Sequence, residues 1–269
     1  LFALKITMKF PFYKYHGTGN DFILIDNRAS LFPKTAHDWI AQLCHRNLGI
    51  GADGLILLEE NPAGQYSMVY YNSDGNLSSM CGNGGRCFVA FAKQLGLIEH
   101  EMHFDAPDGA HFAQYTSSGE IALQMKSVNE VVVHPDYVFL NTGSPHHVQL
   151  VQNLANYPVF QEGAAIRYGK LYGVAGANVN FVEPLSAAAF AVRTYERGVE
   201  NETLSCGTGV TAVAIAMHKL QLTSAQKIQL HTPGGNLAVT FVENNGLYEQ
   251  VCLIGPAAFV FTGEISTPE

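Results

Sequence analysis

Charge is scarce in this chain. Asp, Glu, Lys and Arg make up 14% of its 269 residues, against roughly 25% in an ordinary soluble domain. What charge there is sums to −8, which argues against nucleic acid or an anionic membrane as the main partner and leaves room for a local cationic pocket. No apolar run reaches the roughly 18 residues of a membrane span. Phe88–Ile98 is broken by Lys93, and Val210–Met217 is too short. The eleven histidines show no His-Glu-x-x-His or comparable spacing, so no metal is expected. The five cysteines, at 44, 81, 87, 206 and 252, are odd in number, widely spread and without a Cys-x-x-Cys pair. That excludes a disulfide framework and suits a reducing cytoplasm, where we expect the protein. Leu1–Thr7 has neither the basic region nor the clear cleavage site of a secretory signal, and Met8-Lys9-Phe10 reads as a natural start.

Two of the cysteines open near-identical phrases: Met80-Cys81-Gly82-Asn83-Gly84-Gly85 and Ser205-Cys206-Gly207-Thr208-Gly209-Val210. Each leads into an Ala/Val-rich run that reads as a buried helix, placing a thiol at a helix N-terminus twice. Such an end carries roughly half a positive charge and several N–H groups without intrahelical partners. It lowers a thiol's pKa and binds carboxylates.

The match between the halves extends well beyond these phrases. Asp53 of Gly51-Ala52-Asp53 lies 28 residues before Cys81, and Asn178 of Gly176-Ala177-Asn178 lies 28 before Cys206. Asn20, in a His-Gly-Thr-Gly-Asn turn, precedes Cys81 by 61, and Ser144 of Asn-Thr-Gly-Ser-Pro precedes Cys206 by 62. Pro107 follows Cys81 by 26, and Pro233 follows Cys206 by 27. Four matches in one order at near-constant spacing indicate an internal duplication, with a period far too long for a solenoid.

Helices are expected over Thr35–Cys44, Gly82–Leu95 and Gly207–Leu220. Strands are expected over Phe22–Asp26, Leu55–Leu58, Met68–Tyr71, Ala110–Tyr115, Ile121–Met125 and Tyr137–Leu140, then Val148–Val151, Val179–Val182, Ala191–Tyr195, Lys227–Leu230, Leu237–Val242, Tyr248–Ile254 and Ala258–Phe261. The fold class is α+β: two pseudo-symmetric α/β halves, each a mostly antiparallel or mixed sheet wrapped around a central helix, with the active site in the cleft between them. Residues 1–126 form the half carrying the Cys81 helix, completed by 255–269. Residues 127–254 form the half carrying the Cys206 helix.

Cys44, Cys87 and Cys252 read as small buried hydrophobes. Cys81 and Cys206 read as catalytic, because the glycines beside them let a ligand approach the backbone N–H groups. Neither a Walker loop nor a dinucleotide-binding fingerprint fits these glycines. A racemase at Cα needs one group to remove a proton and another to return one on the opposite face. A thiolate and a thiol can share that work near neutral pH, with the helix N-termini stabilising the developing negative charge. No lysine sits in a convincing pyridoxal phosphate motif, and no cofactor is expected. Asn72 lies nine residues before Cys81 and Arg197 nine before Cys206, so an amide and a guanidinium hold equivalent positions. Arg197 can clamp a second carboxylate in bidentate fashion; the competing reading is a surface ion pair with Glu196 or Glu200. Asn20, Asn72 and Asn178 read as polar contacts or as turn residues, and His146 and Glu196 as hydrogen-bond partners for the thiols.

Together, His16-Gly17-Thr18-Gly19-Asn20-Asp21-Phe22, Asn72-x-Asp74-Gly75, Cys81-Gly82-Asn83-Gly84, Tyr195-Glu196-Arg197-Gly198 and Cys206-Gly207-Thr208-Gly209 resemble the diaminopimelate epimerase family over nearly the whole chain. The resemblance implies cofactor-independent conversion of L,L- to meso-2,6-diaminopimelate, a precursor of lysine and peptidoglycan. It implies Cys81 and Cys206 as the two bases, supported by His146 and Glu196. Asn20, Asn72, Asn178, Glu196, Arg197, Gly82, Asn83, Gly207 and Thr208 then surround a dicarboxylic diamino acid, the one partner expected besides, at most, a second copy in a homodimer. The chain departs from the family pattern at Gly54, where many members carry Gln. It also departs at Ser144-Pro145-His146-His147, where many carry Asn-Pro-His-Cys. The repeat still sets Ser144 opposite Asn20. Two rival readings are a two-thiol racemase of proline, hydroxyproline or histidine, and a redox or binding protein in which Cys81 and Cys206 form a disulfide.

Overall fold

The computed structural model describes residues 8–267; the reading of Leu1–Thr7 lies outside them. In chain order the elements are β1 (Lys9–Gly17), β2 (Asn20–Asp26), α1 (His37–Cys44), β3 (Gly54–Glu60), β4 (Tyr66–Asn72), α2 (Gly82–Gln94), β5 (Glu101–Ala106) and β6 (Gly109–Tyr115). There follow β7 (Ile121–Gln124), β8 (Val131–Val133), β9 (Val138–Asn141), β10 (Pro145–Leu150), α3 (Val159–Arg167), β11 (Asn178–Ser186), β12 (Ala189–Glu196) and β13 (Asn201–Thr203). The chain closes with α4 (Gly207–Lys219), β14 (Lys227–Thr232), β15 (Gly235–Asn244), β16 (Leu247–Gly255) and β17 (Ala258–Ser266). Among the described residues no helix is long and apolar enough to cross a membrane.

Two compact units result. One holds the described residues up to Tyr115 and those from Ala257 onward; the other is Thr116–Pro256. In the first unit the strands run β17-β1-β2-β3-β4-β5-β6, with β2/β3 and β4/β5 parallel and the remaining pairs antiparallel. In the second they run β8-β9-β10-β11-β12-β14-β15-β16-β7, with β10/β11 and β12/β14 parallel. The parallel pairs therefore fall at corresponding places in the two units. β7 is hydrogen-bonded to β16 and lies in the second unit, whereas a boundary at 126 puts it in the first. Its partner is more than 120 residues away in sequence, beyond the reach of local patterning.

The central strands of each unit are covered on both faces. In β2 and β3, Ile23, Ile25, Leu55 and Leu57 join Trp39, Ile40 and Leu43 of α1 in one cluster. The alternate residues Phe22 and Ile56, together with Met68, meet α2 at Gly84. Two-sided burial explains why these strands read as unbroken apolar runs; each such side chain contributes about 1.5–3 kcal/mol on burial. In β11, Val179 and Phe181 pack with Val159 below α3, while Asn180 points at Gly209 of α4.

Helices α2 and α4 are near copies. Each has 13 residues with a cysteine N-cap in extended conformation (φ −110°, ψ 129° at Cys81; φ −116°, ψ 113° at Cys206). Each ends with the same closure, Leu97 N–H to Ala92 O and Leu222 N–H to Met217 O, both 3.0 Å, through a left-handed residue, Gly96 or Gln221. Both helices are buried along most of their length, as an apolar circumference requires.

Candidate active site

At both N-caps the cysteine carbonyl accepts the first helical bond, from Gly85 N–H (2.7 Å) and Val210 N–H (3.0 Å). The N–H groups of the first turn are left without intrahelical partners, beside the thiol. Gly82-Asn83-Gly84 and Gly207-Thr208-Gly209 thus occupy the geometry expected of an anion-receiving helix start.

In the first unit the β1–β2 hairpin turns through Thr18 and Gly19, both at positive φ (49° and 84°), and delivers Asn20 to the Cys81 end of α2. Cys81 Sγ donates to Asn20 Oδ1 at 3.5 Å, and Asn83 Nδ2 donates to the same oxygen at 3.3 Å. Asn20 Nδ2 is held by Asp53 Oδ2 at 2.6 Å. Asn72 is exposed at the end of β4 and accepts the Gly75 N–H in a turn.

In the second unit Cys206 Sγ lies 3.6 Å from Thr208 Oγ1, and the Thr142 hydroxyl donates to the Thr208 carbonyl (2.8 Å). Ser144 Oγ accepts from Asn178 Nδ2 (2.9 Å) and from the Arg197 guanidinium (3.4 Å). Asn178 Oδ1 in turn accepts the Arg197 backbone N–H (2.9 Å). Arg197 makes no ion pair among the described residues, and Glu200 is paired with Arg167 (3.1 Å). The reading of Arg197 as one half of a surface ion pair is therefore not met. Glu196, at the end of β12, accepts the Thr203 hydroxyl (2.8 Å).

His146 is wholly buried, and its tautomer follows from its neighbours. Asn180 Nδ2 donates to His147 O (3.0 Å), and Asn180 Oδ1 accepts from Thr194 Oγ1 (3.0 Å), which fixes the amide's orientation. The second Nδ2 hydrogen then points at His146 Nδ1, 3.1 Å away. Nδ1 is an acceptor, so the proton sits on Nε2, which has no hydrogen-bond partner among the described residues. Burial, with a smaller contribution from the Arg197 charge, pushes the imidazolium pKa down to about 3. The ring is a neutral N–H donor rather than a base, and its expected hydrogen bond to a thiol is not formed.

Cys44 and Cys87 are buried and Cys252 half-buried. Burial raises all three thiols, Cys44 to about 12, so they remain protonated and inert. Three residues close to the site escaped the sequence reading: Arg86, Asn180 and Asp53. Asp53 alone left a signal there, sharing its 28-residue spacing with Asn178.

Two copies of one helix-capped thiol on a duplicated mixed α/β sheet define an isomerase of the racemase and epimerase class. Solved structures share the fold. A phenazine biosynthesis protein of the PhzF family from Bacillus anthracis superposes with a TM-score of 0.76 at 12% identity, over 96% of this chain and 99% of that one. A hydroxyproline epimerase from Agrobacterium vitis gives 0.68 at 12% identity, over 96% and 92%. Sequence relationships are narrower. The diaminopimelate epimerase family model matches twice, over residues 12–134 and 138–260. The diaminopimelate epimerase of Flavobacterium psychrophilum is 57% identical over 93% of this chain and 97% of its own, and that of Chlorobaculum tepidum 40% identical over 93% and 99%. The chain belongs to the diaminopimelate epimerase family.

Proposed function

We propose that this protein converts L,L-2,6-diaminopimelate to the meso form by two-base exchange at one Cα, with Cys81 and Cys206 as the two bases. The observation that carries the reading is the thiol placed as N-cap of a glycine-started helix in both copies of the repeat. One cysteine, as thiolate, removes Hα; the other, as thiol, delivers its proton to the opposite face. The two sulfurs exchange protonation states in each turnover. The first-turn N–H groups at Gly82, Asn83, Gly207 and Thr208 receive the α-carboxylate and stabilise the charge that develops with the carbanion.

The cluster of Arg197, Ser144 and Asn178 recognises the distal carboxylate and amine, with Asn20, Asn72 and Glu196 as further polar contacts. In this chain the Ser144 hydroxyl takes the place of the amide that many family members carry, and it is already tied to Arg197 and Asn178. His146, neutral, supports the site by accepting the Asn180 amide N–H, which holds Asn180 against Gly209 of α4. Cysteines held outside any disulfide among the described residues suit work in a reducing cytoplasm. The test is an inversion assay on L,L-diaminopimelate beside proline and histidine, with reductant present. Inversion of diaminopimelate alone is expected. Turnover of proline or histidine in its place overturns the reading.

A further inference from the structure

Two charged side chains outside the two-thiol scheme bracket the Cys81 site. Arg86 is wholly buried in the second turn of α2, an unfavourable place for a guanidinium unless it is well bonded. It donates to Asn83 Oδ1 (2.9 Å), Thr18 Oγ1 (3.4 Å) and Gly82 O (3.3 Å). From Asn83 the bonds continue in one direction. Asn83 Nδ2 donates to Asn20 Oδ1 (3.3 Å), Asn20 Nδ2 to Asp53 Oδ2 (2.6 Å), and Asp53 Oδ1 accepts from Arg46 (2.7 Å). A guanidinium can only donate and a carboxylate can only accept. Two amides strung between such ends have a single satisfied direction, with every carbonyl toward Arg86 and every NH2 toward Asp53.

That direction turns the Asn20 carbonyl, and not its NH2, toward Cys81 Sγ. An acceptor facing a thiol favours its protonated form. The corresponding residues of the second copy are bonded differently. Its counterparts of Asn20 and Asp53 are bonded in the opposite sense, Asn178 Nδ2 donating to Ser144 Oγ. Arg86 is replaced by Thr211, whose hydroxyl caps Gly207 O (2.9 Å). Cys206 faces the Thr208 hydroxyl, which can donate as well as accept.

We propose that Asp53 and Arg86 are positioning residues that lock the Asn20 amide so that Cys81 is held in its proton-bearing form. The proposal rests on the two-thiol reading only for the use to which that proton is put. The other charged groups gathered here are Asp21, Lys14 and Arg46. Burial alone raises the Asp21 carboxyl, but hydrogen bonds and charge from Arg46 and Lys14 outweigh it and hold it at about 2. Asp21 therefore stays ionised across the neutral range, and the nearby Cys87 stays protonated through burial.

The test needs no substrate, so it stands or fails apart from the assigned activity. The rate of iodoacetamide alkylation is measured at Cys81 and at Cys206 by mass spectrometry, between pH 6 and 9, on the full chain. Asp53→Leu removes the acceptor end, Asp53→Asn lets the amide chain reverse at unchanged size, and Asp53→Glu restores the acceptor. Loss of one hydrogen bond to the thiol predicts about a fivefold faster alkylation of Cys81 near pH 7 in the Leu and Asn variants. Cys206 is unmoved, and Glu returns Cys81 to within about twofold of the parent, well inside that hydrogen-bond effect. The Asn variant alone carries the test should the Leu variant fail to fold. An unchanged Cys81 profile overturns the proposal, as does an equal acceleration at both cysteines, which is the mark of general loosening.

Discussion

Replacing His146 with Gln changes how the protein's stability responds to acid. The imidazole is fully buried and its folded pKa of about 3 lies well below the ordinary 6.5. Between those values the unfolded chain binds a proton that the folded chain refuses. Stability is therefore complete above about pH 6.5 and falls with pH through that window, by about 1.4 kcal/mol per pH unit. From pH 6.5 to 4.5 the deficit grows by roughly 2 kcal/mol, a large part of the 5–15 kcal/mol that folds a typical domain. Gln does not titrate, and its Oε1 can take over the Asn180 hydrogen bond. Urea unfolding of the parent and of His146→Gln, in half-unit steps from pH 7.5 to 4.5, gives the comparison. The parent should lose stability relative to the variant at the stated slope, while His147, depressed chiefly by burial in the same direction, contributes equally to both. Parallel curves would refute the neutral, buried imidazole.

Other consequences follow from single contacts. A Cβ at Gly209 would sit 2.4 Å from Asn180 Oδ1 and 3.3 Å from Cys206 Sγ, so Gly209→Ala should leave a folded chain with kcat lowered about tenfold or more, since small misplacements of reacting groups are costly; a steady-state assay with circular dichroism checks this. At Gly54 a Cβ would meet Tyr70 Cε2 at 2.4 Å and Tyr71 O at 2.5 Å. Introducing the glutamine common in the family, Gly54→Gln, should therefore destabilise this chain by about 1–3 kcal/mol, read from the thermal midpoint, and Tyr70→Ala beside it should recover part of the loss. Arg197→Lys keeps the charge but not the fork, so KM for diaminopimelate should rise by about tenfold with a smaller change in kcat.

The duplication was legible because its anchors are glycines and cysteines at fixed spacing, which tolerate little drift. The buried strands β2, β3 and β11 were legible as apolar runs. β1 was not, because Pro11, Lys9 and Lys14 interrupt its Phe10, Phe12 and Tyr15 alternation, although Lys14 is buried against Asp21 and Gly51 O. β5 alternates buried Met102 and Phe104 with Glu101 and His103 over only six residues. α3 presents a thin apolar stripe that includes Gly163, packed on Tyr195. At the site, the N-cap geometry of Cys81 and Cys206 could be read directly from the Cys-Gly-x-Gly steps. The polarity of the amides could not, because it is set by partners remote in sequence: Arg86 and Asp53 for Asn20, and His147 O and Thr194 for Asn180. Nothing local to Arg86 announces that β1 and its turn will enclose it.

The central claim is that two different thiols serve the two faces of one carbon. Deuterium incorporation into each isomer during the first turnovers in heavy water tests it most directly. Newly formed meso product should carry one deuterium at the inverted Cα while the remaining L,L substrate stays unlabelled. Product that retains its original hydrogen, or substrate labelled as fast as product, would contradict it.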